Sequence, residues 1–203
     1  MEKQSNLLLK LSRSLFADTA EQEKFIHAVT NPQAFNPAIL WVQPKPPKNP
    51  FDIEIPVFWQ PHFVDRLALE YQPGKHSLHQ ARHYYCLDFF SIFAASTLLT
   101  ISQSIKLILD MCAPPGGKSI FAWKTLKLEF LLCNEAIGKR MGRLNSNLRR
   151  CQINSSAATN ADSKILAEKM PQTANLVIVD APCTGQSLLA KGDKAPGCFH
   201  HVT

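Results

Sequence analysis

The chain contains no apolar run approaching the roughly 18 residues of an ordinary transmembrane helix. No secretory leader is expected either: the N-terminal MEKQSNLLLKLSRSLF has only a three-leucine run, broken by Lys10. A cytoplasmic chain without membrane contact is the expectation. The six cysteines, Cys86, Cys112, Cys133, Cys151, Cys183 and Cys198, form no C-x-x-C pair. Their spacing suggests neither a zinc knuckle nor a disulfide framework, so free thiols in a reducing compartment are expected. Internal repeats and low-complexity segments are absent. With 45% hydrophobic and 19% charged residues, disorder is excluded as a description of the whole chain. At 203 residues it can bury a sizeable core without crosslinks.

Acidic residues are scarce in one half. Residues 1–100 carry nine Lys/Arg against nine Asp/Glu, whereas residues 101–203 carry thirteen against seven, so the whole net charge of +6 lies in the second half. Such a balance points weakly to a polyanionic partner, nucleic acid first, with a solvated basic face as the plainer reading.

Residues 5–30 read as helical, with Asp18 and Glu21 spaced as a capping box and Asn31-Pro32 as the stop. Residues 32–61 hold eight of the fourteen prolines. That density predicts neither a helix nor a central strand, but an extended arm with short apolar pieces at 38–42 and 55–59. Asp88 is placed to cap a helix through Phe89, Ile92, Phe93 and Leu98–Leu99. From residue 105 the pattern changes: IKLILD, FLLC and LVIVD are buried-strand runs ending in or near acids, with helical spacing between them. Strands alternating with helices describe an α/β parallel sheet. The expected division is a helical and proline-rich segment over 1–75 and a Rossmann-like domain over 76–203.

The sharpest feature is Asp110-Met111-Cys112-Ala113-Pro114-Pro115-Gly116-Gly117-Lys118-Ser119, a turn between a strand and a helix. Adjacent glycines let a ligand approach the backbone, and the new helix offers N–H groups to an anion. Two ligand classes compete. Gly117-Lys118-Ser119 ends like a phosphate-binding Walker A element, and 176–180 resembles a Walker B strand, the signature of a P-loop ATPase. That element needs glycine where Cys112 stands, however, and Pro114 and Pro115 lack two of the required N–H groups. The other class is a dinucleotide or adenosyl cofactor, whose ribose is bound by an acid about 20 residues on. Glu135, seventeen positions after Lys118, suits that role.

The two blocks LDMCAPPGGKS and VDAPCTG, in this order, resemble motifs of the Sun-type RNA cytosine-5 methyltransferases, the group of RsmB, RsmF and the NSUN enzymes. Asn134-Glu135 with Arg140, Leu144, Asn147, Leu148 and Arg150, and Asn160-Ala161-Asp162, are similar to two further blocks of that family. The resemblance covers most of residues 76–198. It implies a class I methyltransferase sheet, S-adenosylmethionine as cofactor and ribosomal or transfer RNA as partner. It also implies site roles. The loop of Cys112, Ala113, Pro114, Pro115, Gly116, Gly117 and Lys118 would hold the methionine end. Glu135 would take the ribose hydroxyls, Asp162 the adenine amino group, and Asp180 would lie between cofactor and base. Arg140 and Arg143 would face solvent, available to RNA phosphates.

The chemistry implied is nucleophilic catalysis: a thiolate adds to cytosine C6 and makes C5 reactive towards the methyl group. In the family the DAPC cysteine, here Cys183, is associated with product release, and the nucleophile lies in a later motif. Nothing before Thr203 matches that later motif. The expectation is therefore a sheet incomplete at its C-terminal end and a chain that does not methylate cytosine by itself. Two alternatives stay open: Cys183 as the nucleophile, as in the Pro-Cys motif of DNA cytosine-5 methyltransferases, and a non-catalytic RNA-binding fragment. His76, His79 and His83 would share one face of a helix, but with no suitable further ligand a metal is not expected. Tyr84 and Tyr85 are read as packing rather than base-stacking groups. Oligomeric state is not legible.

Overall fold

The computed structural model describes residues 6–31 and 35–181. They fall into two units, one containing the first two helices and the other spanning Asn36–Ala181.

In the first unit, α1 (Asn6–Leu15) and α2 (Thr19–Thr30) replace the single helical stretch expected over 5–30. The break is at Asp18, whose extended backbone and side chain cap α2: its carboxylate accepts from Glu21 N at 3.1 Å. A capping side chain satisfies an N–H that the helix itself cannot, and so fixes where the helix begins. Phe16 in the break packs on Phe25 with ring centroids 5.6 Å apart.

The second unit opens with β1 (Pro37–Trp41), β2 (Val64–Arg66), α3 (Ser77–Gln80) and β3 (Tyr84–Asp88). The three strands form an antiparallel sheet in the order β2-β1-β3. The proline-rich stretch therefore does supply a central strand, contrary to expectation. Its prolines do not interfere because Pro37 occupies the first position and the next four residues carry every N–H the ladder needs. Strands from before residue 75 thus pair with one from beyond it.

β1 is buried on both faces. Ala38 and Leu40 join the main core with Val64 and Tyr85, while Ile39 and Trp41 join a smaller cluster with Phe51, Leu67 and Tyr84. The alternation is the two-residue period of a strand with apolar layers on either side. Tyr84 and Tyr85 are both packing groups, as expected. Phe51, carried on the proline-rich loop, closes the smaller cluster against Tyr71, His76 and Tyr84.

The chain continues through α4 (Phe89–Ala95), β4 (Ile105–Asp110), α5 (Gly117–Thr125), β5 (Leu128–Asn134), α6 (Met141–Arg150), β6 (Ser156–Thr159), α7 (Ser163–Lys169) and β7 (Leu176–Ile178). Asp88 caps α4 as predicted, accepting from Ser91 N at 2.8 Å. The four later strands are all parallel, in the order β6-β5-β4-β7. This is the Rossmann-like α/β sheet that the strand–helix alternation predicted. β6 and α7 escaped the sequence reading: Ser156-Ala157-Ala158-Thr159 has no apolar run, because a strand paired on one side only needs little bulk.

The main core lies between this sheet and its helices, with Ile105, Ile108, Leu131 and Cys133 packed against Ile120 and Phe121 of α5 and Leu144 and Leu148 of α6. Phe63, just before β2, reaches Phe121 at 5.6 Å and joins the small sheet to the same core. Among the described residues no helix is long and apolar enough to cross a membrane.

One buried carboxylate holds the small sheet to its loop. Asp65 accepts from Trp41 Nε1 at 2.6 Å, Asn49 Nδ2 at 3.0 Å and Lys45 Nζ at 2.7 Å. Asp65→Ala would leave the Trp41 N–H buried and unpaired and free the Lys45–Asn49 segment. The expected loss is about 2–4 kcal/mol of unfolding free energy, measured by urea titration. A loss well below 1 kcal/mol would remove Asp65 as the anchor.

Candidate cofactor site

β4 is the strand from which successive connections leave in opposite directions, since β5 pairs on one side of it and β7 on the other. In open parallel sheets that switch point, outside the carboxyl ends of the strands, is where ligands bind. The residues singled out in the sequence sit there. Asp110 ends β4, the glycine turn follows it, Glu135 lies just past β5, Asp162 past β6 and Asp180 past β7.

The turn owes its shape to Gly116. Its φ of +106° lies in a region that side-chain-bearing residues rarely adopt, and a Cβ there would stand 3.2 Å from Leu144 Cδ1. Gly116 is also the N-cap of α5 and has no side chain to occupy that helix end. Gly117 N, Lys118 N and Ser119 N belong to the first turn, where N–H groups lack partners within the helix. Asn147 of α6 holds the turn from the far side, donating Nδ2 to Pro115 O at 2.7 Å.

Two buried polar groups brace the strand ends. Asp110, 1% exposed, accepts from Ser119 Oγ at 2.5 Å and from Cys112 N at 3.4 Å, fastening the start of α5 to the end of β4. Burial raises its carboxyl above the ordinary value of 3.8, the two hydrogen bonds pull it down, and the nearby Asp180 charge pushes it up again. Asn134, fully buried, donates to Met111 O at 3.2 Å and Ala161 O at 3.0 Å and accepts from Ala161 N at 3.1 Å. Its amide thus joins the loops after β4, β5 and β6. Neither Ser119 nor Asn134 was assigned a role from sequence. The available signal was a serine in the first helical turn after a strand-ending acid, and an amide beside the predicted ribose acid.

Glu135 is buried to 6% exposure; its Oε1 accepts from Ile137 N at 2.7 Å and its Oε2 lies 3.7 Å from Arg140 Nη1. Asn160 donates its side-chain amide to the Glu135 carbonyl. Lys118 and Asp180 meet across the switch point at 2.5 Å. Cys112 stands amid these acids: burial raises its thiol, and Asp110, Glu135 and Asp180 raise it further.

The remaining residues of the sequence reading are placed as follows. Asp162 is exposed and caps α7, accepting from Lys164 N at 2.8 Å. Arg140 and Arg143 are both solvent-exposed, as expected, and Arg140 lies within 3.7 Å of Glu135 as well. The three histidines do not share a helical face, because α3 spans only Ser77–Gln80 and His83 lies in the turn before β3. Pro182, Cys183, Thr184 and Gly185 lie outside the described residues.

The sequence model of a family described as 16S rRNA methyltransferase RsmB/F matches residues 97–195. Ribosomal RNA small subunit methyltransferase F of Aliivibrio fischeri (strain MJ11) is 29% identical over 123 residues, which is 60% of this chain and 26% of that protein. The chain thus spans about a quarter of the length of that curated relative. Among solved structures, PH0851 superposes with a TM-score of 0.71 at 17% identity, over 94% of this chain and 47% of that one. A methyltransferase homolog protein from Pyrococcus horikoshii gives a TM-score of 0.63 at 15% identity, over 90% of this chain and 65% of that one. These two likenesses show the fold. The family matched is the one that the glycine-turn and DAPC blocks resemble.

The raised Asp110 carboxyl has a consequence for stability. The folded chain keeps that proton to higher pH than the unfolded chain does. Stability from this group is complete below the ordinary value of 3.8 and is lost as pH rises through the higher folded value. Asp110→Asn cannot titrate. The stability of the parent relative to this variant should therefore decline as pH is raised from about 3 towards 7, read by urea unfolding of both. A difference that stays constant with pH would show that burial does not raise the Asp110 carboxyl.

Proposed function

We propose that the chain is a member of the RsmB/F family of methyltransferases, whose model matches residues 97–195, and that it holds S-adenosylmethionine at the β4 switch point for 5-methylcytosine formation in ribosomal or transfer RNA. The part from residue 76 onward carries the cofactor site, and β1 and β2 cover its core. The cofactor supplies an electrophilic methyl group on a sulfonium.

The observation that carries this reading is the charge arrangement. Lys118, the only cation in the turn, is paired with Asp180, and three carboxylates (Asp110, Glu135 and Asp180) raise the Cys112 thiol between them. A nucleoside triphosphate brings several negative charges and needs that lysine free. A ligand with a sulfonium and an ammonium group suits an acid-lined turn, and its carboxylate suits the N-terminus of α5. The geometry therefore favours the adenosyl cofactor over the P-loop ATPase alternative.

The residue roles follow. Gly116 and Gly117 give the methionine end close approach to the backbone, and the loop Cys112–Lys118 surrounds it. Glu135 accepts from the ribose hydroxyls with its shape fixed by the Ile137 N–H. Asp162, already at a helix N-terminus, accepts from the adenine amino group. Asp180 stands between the cofactor and the target base. Cys183 serves product release.

Titration calorimetry of the whole chain tests the assignment. S-adenosylmethionine should bind and Mg-ATP should not. Glu135→Ala should weaken the cofactor about 10- to 100-fold, the equivalent of losing charge-assisted hydrogen bonds. Mg-ATP binding without S-adenosylmethionine binding would overturn the reading, and an unchanged dissociation constant in the variant would remove Glu135 from the site.

A further inference from the structure

α6 has two working faces. One carries Leu144, Asn147 and Leu148 against the core and the glycine turn. The other carries Gly142, Asn145, Ser146 and Arg149, spaced i, i+3, i+4 and i+7 along one helical stripe. This second face forms a wall of an open cleft of about 820 Å³, whose opposite wall is the segment from Gly74 to Arg82.

The cleft is basic because both walls lack acids. Residues 71–87 contain Lys75 and Arg82 and no Asp or Glu, and residues 136–161 contain five Lys/Arg and no Asp or Glu. Arg82, Arg149 and Arg150 line it. Among the described residues neither Arg82 nor Arg149 has a carboxylate partner. Arg150 donates Nη1 to His79 O at 3.0 Å, tying the two walls together.

Two local features at the cleft run against stability. Arg82 sits at φ +66°, a left-handed conformation that costs an arginine energy and a glycine none. Gly142 is in the first turn of α6, where glycine is a poor helix former, yet a Cβ there would meet nothing within 4 Å. Packing does not explain the missing side chain.

We propose that this cleft seats the sugar-phosphate backbone of an RNA strand, outside the cofactor site and on the opposite face of α6. The anion preference stands on the cleft alone, whereas the choice of RNA rests on the function proposed above. Among the described residues His79 is the only ring in the lining, so the cleft offers no stacking platform and holds the strand without regard to sequence. Because α6 also grips the glycine turn through Asn147, a strand held here is placed relative to the methyl donor by one rigid element.

The test uses the whole chain, a fluorescently labelled oligouridine and anisotropy across a salt series. The double variant Arg82→Gly, Arg149→Gln should weaken binding at least about tenfold at low salt. It should also make the slope of log affinity against log salt shallower by roughly 1.4, the change expected when two phosphates of a single strand are no longer neutralised. Gly142→Asp is the second variant. An acid in the first helical turn should leave the melting temperature equal or higher, while repelling phosphate and lowering RNA affinity. Calorimetry with S-adenosylmethionine runs in parallel and should be unaffected by all three substitutions. A parent that binds no oligouridine at low salt, or variants that keep its affinity and slope, would overturn the proposal. Failure of cofactor binding in the parent would count against the earlier reading alone, since anisotropy decides the cleft independently.

Discussion

A single buried side-chain amide carries much of the geometry of the cofactor end. Asn134 has two N–H donors and a carbonyl acceptor, and with no solvent contact each must find a protein partner. It finds them on Met111 and Ala161, the backbones leaving β4 and β6. Three parallel strands would otherwise end in three independent loops. The need to satisfy one amide holds those loops in a fixed relation, and the acids on either side of it inherit that order.

The same logic applies at Asp110. A carboxylate under the glycine turn is costly to bury, and Ser119 Oγ and Cys112 N are what it receives in exchange. Those bonds also place the first turn of α5 directly after β4. Position and electrostatics are therefore coupled: the groups that orient the turn also set an acidic field around it. That field is balanced by Lys118 and Arg140, each of which lies beside a carboxylate. The basic character of the chain is displayed elsewhere, on the outer side of α6 and the Gly74–Arg82 segment. An acid-lined turn and a cation-lined cleft are thus separated by the thickness of one helix.

The small antiparallel sheet plays a supporting part through packing. β1 shares Ala38 and Leu40 with the main core and Ile39 and Trp41 with the cluster beneath the proline-rich loop. Tyr85, in the strand next to it, lies 3.6 Å from where a Cβ on Gly117 would be. The strands before the parallel sheet therefore back the very turn that opens α5, and shape at the cofactor end depends on residues more than 30 positions upstream in sequence.

Much of this was legible in the residues. The strand runs ending at Asp110 and Cys133, the cap at Asp18, the cap at Asp88 and the glycine turn all announce themselves, because caps, turns and buried strands depend on residue types at short spacings. The family resemblance, too, is carried by two short blocks. What the sequence could not display is anything decided between distant segments. Pro37 does not forbid a central strand once β2 and β3 supply partners; Lys118 is neutralised by an aspartate 62 positions away; exposed Arg140 also comes within 3.7 Å of Glu135; and the acid-free stretches around Arg82 and Arg149 become one cleft. Local chemistry determined the elements and the residues able to bind. Only the parallel stacking of strands, which brings separate loops to one edge, decided which of those residues meet and which charges remain available.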